Sequence, residues 1–124
     1  MHLVVIGLGG FLGAIARYLV DGIVSERTAA SAFPLGTLVV NLSGAFALGL
    51  LATLAIERSA LPAEIRGPVM IGFLGAYTTF STFTLESLRL LETGNWGLAA
   101  GNLVGSVAFG LVAVAAGVML GRAI

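Results

Sequence analysis

The residue types most able to do chemistry lie in one short stretch, Gly72-Phe73-Leu74-Gly75-Ala76-Tyr77-Thr78-Thr79-Phe80-Ser81-Thr82-Phe83. It carries five hydroxyl groups and two glycines within a segment, Gly67 to Leu85, that has no charge. Hydroxyls and exposed backbone at membrane depth are tolerated only where they are buried in protein or line a water-filled path. We therefore predict a helix that is broken at Gly75–Thr79, beside a polar pathway. Its freed carbonyls could bind a monovalent cation, protein or water, and the N–H groups of the following half-helix could bind an anion.

Two further kinds of side chain could serve an anion in that pathway. Phe80 and Phe83 are three residues apart and share a helix face. Aromatic rings have an electropositive edge, so rings presented edge-on could hold a desolvated anion, although two Phe at this spacing also suit ordinary packing. Asn41 lies inside an apolar segment, and its amide has two donors that suit either an anion or a hydrogen bond between helices.

A smaller set of polar residues lies away from this stretch. Asn102 and Ser106 are one turn apart and form a short polar stripe in an otherwise apolar segment, which suits either a pathway or interhelical hydrogen bonds. Arg17 lies near the far end of the first apolar segment, where an arginine side chain can snorkel to the interface. Glu86 comes one turn after the Phe pair, and we interpret it as a solvated helix end.

Composition assigns the chain to the membrane and excludes several functions. Of its 124 residues, 58% are hydrophobic and only 10% are charged, far below the proportion typical of a soluble domain. Cysteine is absent and His2 is the only histidine, so thiolate chemistry, multi-histidine metal sites and a Ser/His/Asp triad are excluded. The chain has no basic run, so no nucleic-acid partner is expected. The length predicts a single transmembrane domain, residues 1–124.

Four apolar segments are each long enough to cross a bilayer, which needs about 20 helical residues. We predict an all-α integral membrane protein with four transmembrane helices, the third of them broken. The predicted spans are residues 3–20, 34–56, 67–91 and 96–121. Pro34 and Pro68 fit the first turns of the second and third spans. Glycine pairs four residues apart favour close helix packing in lipid: Gly9 and Gly13, Gly101 and Gly105, Gly117 and Gly121.

The arginines give no orientation signal. Arg58, Arg66 and Arg122 fall on one side of the predicted membrane, and Arg17, Arg27 and Arg89 fall on the other. Orientation normally follows an excess of Lys and Arg on the cytoplasmic side. The balance predicts either one orientation fixed by other cues or dual topology, with copies inserted both ways and paired antiparallel.

The whole chain closely resembles the Fluc (CrcB) family of fluoride channels. The resemblance is carried by Gly13-Ala14 and Arg17-Tyr18, by Pro34-Leu35-Gly36-Thr37-Leu38-Val39-Val40-Asn41, and most specifically by Gly72 to Phe83. It implies a passive channel, not an enzyme, that exports cytoplasmic fluoride through the bacterial plasma (inner) membrane. The implied assembly is an antiparallel dual-topology homodimer in the lipid bilayer, with two pores lined by both copies.

The resemblance also assigns roles to individual residues. It implies that Phe80 and Phe83 line the anion pore, that Asn41 donates a hydrogen bond there, and that Thr79, Ser81 and Ser106 add hydroxyls. It places Arg17 near a vestibule. It implies a structural sodium ion bound by the backbone carbonyls of Gly75 and Thr78, with no organic cofactor. Asn102 stands where the family often has tyrosine.

Two other classes of function fit the sequence less well. A proton-coupled small multidrug-type transporter needs a carboxylate at mid-membrane in its first helix, but the first acid here is Asp21, at the end of that span. A structural or assembly subunit predicts an unremarkable third helix, which the hydroxyls of 78–84 contradict. Pairing of non-identical subunits instead of a homodimer stays open.

Overall fold

The computed structural model describes residues 1–124, and every regular element in it is helical. Its α-helices, in chain order, are α1 His2–Arg27, α2 Leu35–Ala52, α3 Ala63–Arg66, α4 Leu74–Tyr77, α5 Phe80–Glu92 and α6 Trp96–Ala123. Two π-helical stretches, Thr53–Glu57 and Gly67–Phe73, continue α2 and join α3 to α4. Three helices are long and apolar enough to cross a membrane: His2–Arg27, Leu35–Glu57 and Trp96–Ala123. Most of their large apolar side chains face outward, as in a protein surrounded by lipid.

Helix α1 is longer than the predicted first span. It continues through Asp21 and Glu26 to Arg27, although we expected a loop from Asp21 onward. Polar and charged residues sustain a helix outside the hydrocarbon as well as apolar residues do inside it, so the end of an apolar run need not end the helix. The last turn is closed by the Thr28 hydroxyl, which donates to the Val24 carbonyl at 2.7 Å.

The third helical segment also begins earlier than predicted. Its first residue is Ala63, directly after Pro62, so Pro68 does not mark the first turn. Pro68 instead lies within the π-helical stretch Gly67–Phe73. A proline inside an α-helix removes one backbone hydrogen bond and crowds the preceding turn, and the wider π-helical turns relieve that crowding.

Glycines set the distance between the packed helices. In the α2–α6 contact, a Cβ on Gly117 would overlap the Phe46 carbonyl, and one on Gly49 would overlap the Val114 carbonyl. In the contact between α1 and the third segment, a Cβ on Gly13 would overlap the Phe73 carbonyl. Such backbone-to-backbone approach is how helices gain packing energy in lipid.

The glycine prediction held for two of its three pairs. Gly9 and Gly13 face the third segment, and Gly117 and Gly121 face α2 and its π-helical continuation. The prediction was wrong for Gly101 and Gly105, where an added Cβ would meet only aromatic side chains at ordinary contact distances. Spacing alone identifies a small-residue stripe but not the face that a partner helix covers.

The ends of α2 and α6 are tied together on one side of the molecule. Arg122 donates to both carboxylate oxygens of Glu57, at 2.9 Å from Nε and 2.8 Å from a terminal nitrogen. This pair places the second loop beside the C-terminus, as the arginine count assumed. At the centre of the molecule, Val40, Leu74 and Tyr77 form a small buried core.

Candidate functional site

The helical backbone of the third segment is interrupted at two residues. Helix α4 ends at Tyr77, Thr78 and Thr79 are extended, and α5 begins at Phe80. The Thr79 side chain caps α5, because its hydroxyl oxygen accepts from the Thr82 N–H at 3.3 Å. Threonine is a favoured residue for this capping role. The interruption therefore has a local cause on its α5 side.

Asn41 of α2 closes the other side of the interruption. Its Nδ2 donates to the Thr79 carbonyl at 3.0 Å, and its Oδ1 accepts from the Thr79 N–H at 2.8 Å. One amide side chain thus satisfies both polar groups of a residue that has left the helix. A primary amide has two N–H groups, so one remains for another acceptor. We call this pair of hydrogen bonds the Asn41–Thr79 clasp.

The clasp and the cap together leave carbonyl oxygens without their helical partners. In an uninterrupted helix the Thr79 N–H would donate to the Gly75 carbonyl, but it donates to Asn41 instead. Likewise the Thr82 N–H, which would reach the Thr78 carbonyl, donates to the Thr79 hydroxyl. Gly75 is exposed, and a Cβ built on it would meet nothing within 4 Å. Carbonyl oxygens are suitable ligands for a hard cation, so these two fit the sodium ion that the family resemblance implies.

The two phenylalanines lie against each other in different environments. Their ring centroids are 5.8 Å apart with the planes tilted by 51°. Phe83 is 7% exposed, whereas Phe80 is 77% exposed on the single chain. Tilted pairs at this centroid separation are among the preferred arrangements of aromatic rings.

Two open cavities meet at the interruption. A cavity of about 390 Å³ is lined by Asn41, Gly75, Thr78, Thr79 and Phe80 among others. A second one, of about 340 Å³, lies on the α1 side. Its polar lining residues are Arg17, Tyr18, Asp21, Thr37, Thr79 and Thr82. Thr79 lines both cavities, so the clasped residue forms part of the wall between them.

The remaining predicted site residues lie outside these cavities. Ser81 is exposed, and its carbonyl accepts from the Thr84 hydroxyl at 3.0 Å. Ser106 is half-buried, and its hydroxyl donates to the Asn102 Oδ1 at 3.2 Å. Phe83 contacts the first cavity only through Phe80. The structure thus brings Asn41, Gly75, Thr78, Thr79 and Phe80 together and places Arg17 on the opposite side of Thr79.

Glu86 differs from its prediction as a solvated helix end. Its Oε1 accepts from the buried Thr37 hydroxyl at 2.8 Å, and its Oε2 is buried without a hydrogen-bond partner. Thr37 precedes Asn41 by one turn on α2, so polar side chains of α2 contact both α5, at Glu86, and its N-cap residue, Thr79. Sequence reasoning missed this pair because Thr37 and Glu86 are 49 residues apart. The only sequence signal for this contact was that Thr37 lies on the same predicted helix as Asn41, and Glu86 on the same predicted helix as Phe80 and Phe83.

We predict that Asn41→Ala lowers the stability of the folded protein by about 1 to 3 kcal/mol, because it removes the two part-buried hydrogen bonds that satisfy the Thr79 peptide. The midpoint of thermal unfolding in detergent measures the loss. Asn95→Ala is the control, since Asn95 is exposed and its amide makes one bond, to Thr93 Oγ1. Equal midpoints for the two variants would contradict a structural role for the clasp.

Comparison with known proteins places this architecture in a family. The family model described as CrcB-like protein, Camphor Resistance (CrcB), matches residues 4–118. A protein of Magnetococcus marinus named fluoride-specific ion channel FluC is 44% identical over 124 residues, covering 100% of both chains.

Two further relatives carry the same name. The Maridesulfovibrio salexigens protein is 43% identical over 96% of this chain and 94% of its own. The Chloroflexus aurantiacus protein is 45% identical over 98% of this chain and 95% of its own. These relatives are named as ion channels and not as enzymes. The match extends over all six α-helices, the interruption included, and the chain belongs to the CrcB family.

Proposed function

We propose that this protein is a fluoride-selective passive channel that exports cytoplasmic fluoride across the bacterial inner membrane. The observation that carries the proposal is the Asn41–Thr79 clasp, which opens a membrane helix beside a cavity and leaves one amide N–H of Asn41 for an anion. The names of the full-length relatives support fluoride as the ion.

The donors around the interruption suit a small, strongly hydrated anion. Fluoride must exchange its water for other donors in a narrow site, and the amide of Asn41, the hydroxyl of Thr79 and the edge of Phe80 can supply them. No arginine lines this cavity, so no side chain in it would hold an anion with a full positive charge. Weak, adjacent sites of this kind allow an ion to leave as well as to enter.

Arg17 has a separate place in this proposal. It lies in the second cavity with Asp21, on the α1 side of Thr79. A cation at the mouth of a path raises the local concentration of anions without binding them tightly. We assign Arg17 to attraction in a vestibule and the polar groups at the interruption to permeation.

The proposal includes four membrane crossings in each chain, a second copy of the chain in antiparallel orientation, and two pores per dimer. Phe80 and Gly75 are exposed on one chain, and the cavity that they line is open. A path for a desolvated ion has to be enclosed, and a second copy over this face would enclose it. The equal division of arginines between the two sides supports insertion in both orientations.

A structural sodium ion completes the proposed assembly. One chain offers the carbonyls of Gly75 and Thr78, fewer oxygens than a cation normally gathers, and a two-fold axis through them would double the number. When bound, sodium would supply a fixed positive charge that holds the four oxygens together. In this chain the Asn41–Thr79 clasp keeps the Gly75 carbonyl available.

The first test is ion release from liposomes loaded with potassium fluoride. We expect rapid fluoride release that requires valinomycin, which carries potassium out to balance the charge, and no release from chloride-loaded vesicles. The double variant Phe80→Ile, Phe83→Ile should release no more fluoride than protein-free vesicles. Phe109→Ile is the matched control, because Phe109 is 60% exposed on α6 and lines neither cavity.

Other results of this assay would contradict the proposal. Release without valinomycin would indicate proton-coupled transport. Undiminished flux through the double variant would show that the two phenylalanines are not part of the pathway. No fluoride release by either the wild type or the Phe109→Ile control would show that the chain has no channel activity.

Dual topology predicts that any single exposed cysteine is reachable from both sides of the membrane. The chain has no cysteine, so Ala60→Cys in the second loop and Ala29→Cys in the first are unique labels. A membrane-impermeant maleimide applied to intact cells should label about half of each variant, since each orientation exposes one loop. Complete labelling of one variant with none of the other would establish a single orientation.

Bound sodium predicts one ion retained per pair of chains after gel filtration in sodium-free potassium buffer, measured by atomic emission. Asn41→Ala should retain less, because the Thr79 N–H can then return to the Gly75 carbonyl. Absence of sodium from the folded wild-type dimer would overturn this part of the proposal and leave fluoride conduction untouched.

A further inference from the structure

A chain of hydrogen bonds connects α6 to the backbone of the Phe83 turn. Ser106 Oγ donates to Asn102 Oδ1 at 3.2 Å, and Asn102 Nδ2 donates to Ser87 Oγ at 2.9 Å. Ser87 Oγ then donates to the Phe83 carbonyl at 2.8 Å. Each hydroxyl or amide along this chain has a defined donor and acceptor, so its direction is fixed from Ser106 to Phe83.

The middle of this chain is sealed from the surroundings. Asn102 is 1% exposed, and it is one of the two largest fully buried side chains in the protein. Ser87 is buried as well. A buried amide that lost either partner would carry the full desolvation cost of that group, so Asn102 strongly favours the one arrangement that satisfies both of its ends.

The last bond of the chain acts on the shape of α5. A serine hydroxyl that donates to the carbonyl four residues back adds a second bond to that carbonyl and bends the helix. Ser87 could rotate away from Phe83 if it stood alone, but the hydrogen bond from Asn102 holds its oxygen in place. Asn102 therefore controls the backbone at the residue that carries the buried ring of the Phe80–Phe83 pair.

We propose that Asn102 is a positioning residue for Phe83, which acts through Ser87 and is itself oriented by Ser106. The inference rests on the proposed function, in which Phe80 presents a ring edge to the fluoride path and Phe83 packs against Phe80. Asn102 does not touch the ion; it fixes the position and tilt of the Phe83 ring, and through that ring the position of Phe80. This role differs from interhelical adhesion alone, because it predicts effects on ion discrimination as well as on stability.

The test uses variants of equal size with and without the hydrogen bond. Ser87→Thr and Ser87→Val have nearly the same shape and differ by one hydroxyl, and Asn102→Leu removes both amide bonds at similar volume. We expect Ser87→Val and Asn102→Leu each to lower fluoride flux per folded protein about five- to tenfold, because each breaks a buried hydrogen bond. Ser87→Thr should retain near wild-type flux, and chloride leak should rise only in the two variants that break the chain.

A double-mutant cycle separates positioning from general loss of packing. Since Ser87 and Asn102 act in one chain, the double variant Ser87→Val, Asn102→Leu should conduct no worse than the poorer single variant. Thr53→Val is the control, because it removes an equally buried hydroxyl whose only bond, to the Gly49 carbonyl at 3.0 Å, stays within its own helical segment. Its flux and chloride leak should match the wild type.

Three results would overturn the inference. These are equal flux through Ser87→Val and Ser87→Thr, multiplicative losses in the double variant, and losses of flux with unchanged fluoride-to-chloride discrimination. Should the Val and Leu variants fail to fold, Ser106→Ala decides, since Ser106 is only half-buried and its loss releases Asn102 Oδ1. Unchanged flux and unchanged fluoride-to-chloride discrimination in folded Ser106→Ala would then show that this chain of hydrogen bonds contributes to stability alone.

Failure of this inference is distinguishable from failure of the proposed function. A wild-type protein that releases no fluoride contradicts the proposed function. If the wild type conducts fluoride, and the variants of Ser87, Asn102 and Ser106 conduct and discriminate as it does, only the role of Asn102 is contradicted.

Discussion

The rest of the structure depends on how the peptide groups of Thr79 are satisfied. A residue that leaves a helix inside a membrane protein exposes an N–H and a carbonyl, and each costs several kcal/mol if water and partners are both absent, roughly the cost of transferring an amide to an apolar medium. Asn41 satisfies both groups with one side chain. Without such a partner the chain would recover those bonds by closing the helix, and the cavity beside Thr79 would lose its polar wall.

The Asn41–Thr79 clasp keeps its geometry only if the helical segments that carry the two residues are fixed relative to each other. Asn41 is held on α2, which is locked against α6 by the close approaches at Gly49 and Gly117. Thr79 is held on the third segment, which is locked against α1 at Gly13. Interiors packed this closely resist continuous deformation, so both partners of the clasp are presented at a fixed distance. The glycines thus contribute to the site although none of these three lies near an expected ion.

Much of this arrangement could be predicted from the sequence, because hydropathy and residue type act locally. The uncharged runs predicted four membrane-spanning helices, and three helices have that length and composition. The glycines and hydroxyls of 72–83 predicted a break at Gly75–Thr79, and the helical backbone is interrupted at Thr78 and Thr79. The early end predicted for α1 was wrong because charged residues extend a helix beyond the lipid. The prediction that Glu86 is a solvated helix end was wrong for another reason: Glu86 accepts a hydrogen bond from Thr37, which is remote in sequence. Asn41 stayed open between two interpretations because its partner is a backbone group, which leaves no sequence signature.

The two phenylalanines differ in exposure, and this difference bears on whether a second copy covers one face of the chain. Phe83 is buried and its turn is fixed by Ser87, whereas Phe80 extends from the surface beside Gly75. An exposed ring against lipid presents its apolar body to an apolar medium and gains nothing from a hydroxyl-rich setting. The proposed second copy would instead make the same ring part of an enclosed space, because Asn41 and Thr79 line the cavity with Phe80. The exposure of Phe80 beside these polar groups therefore supports the proposed partner copy.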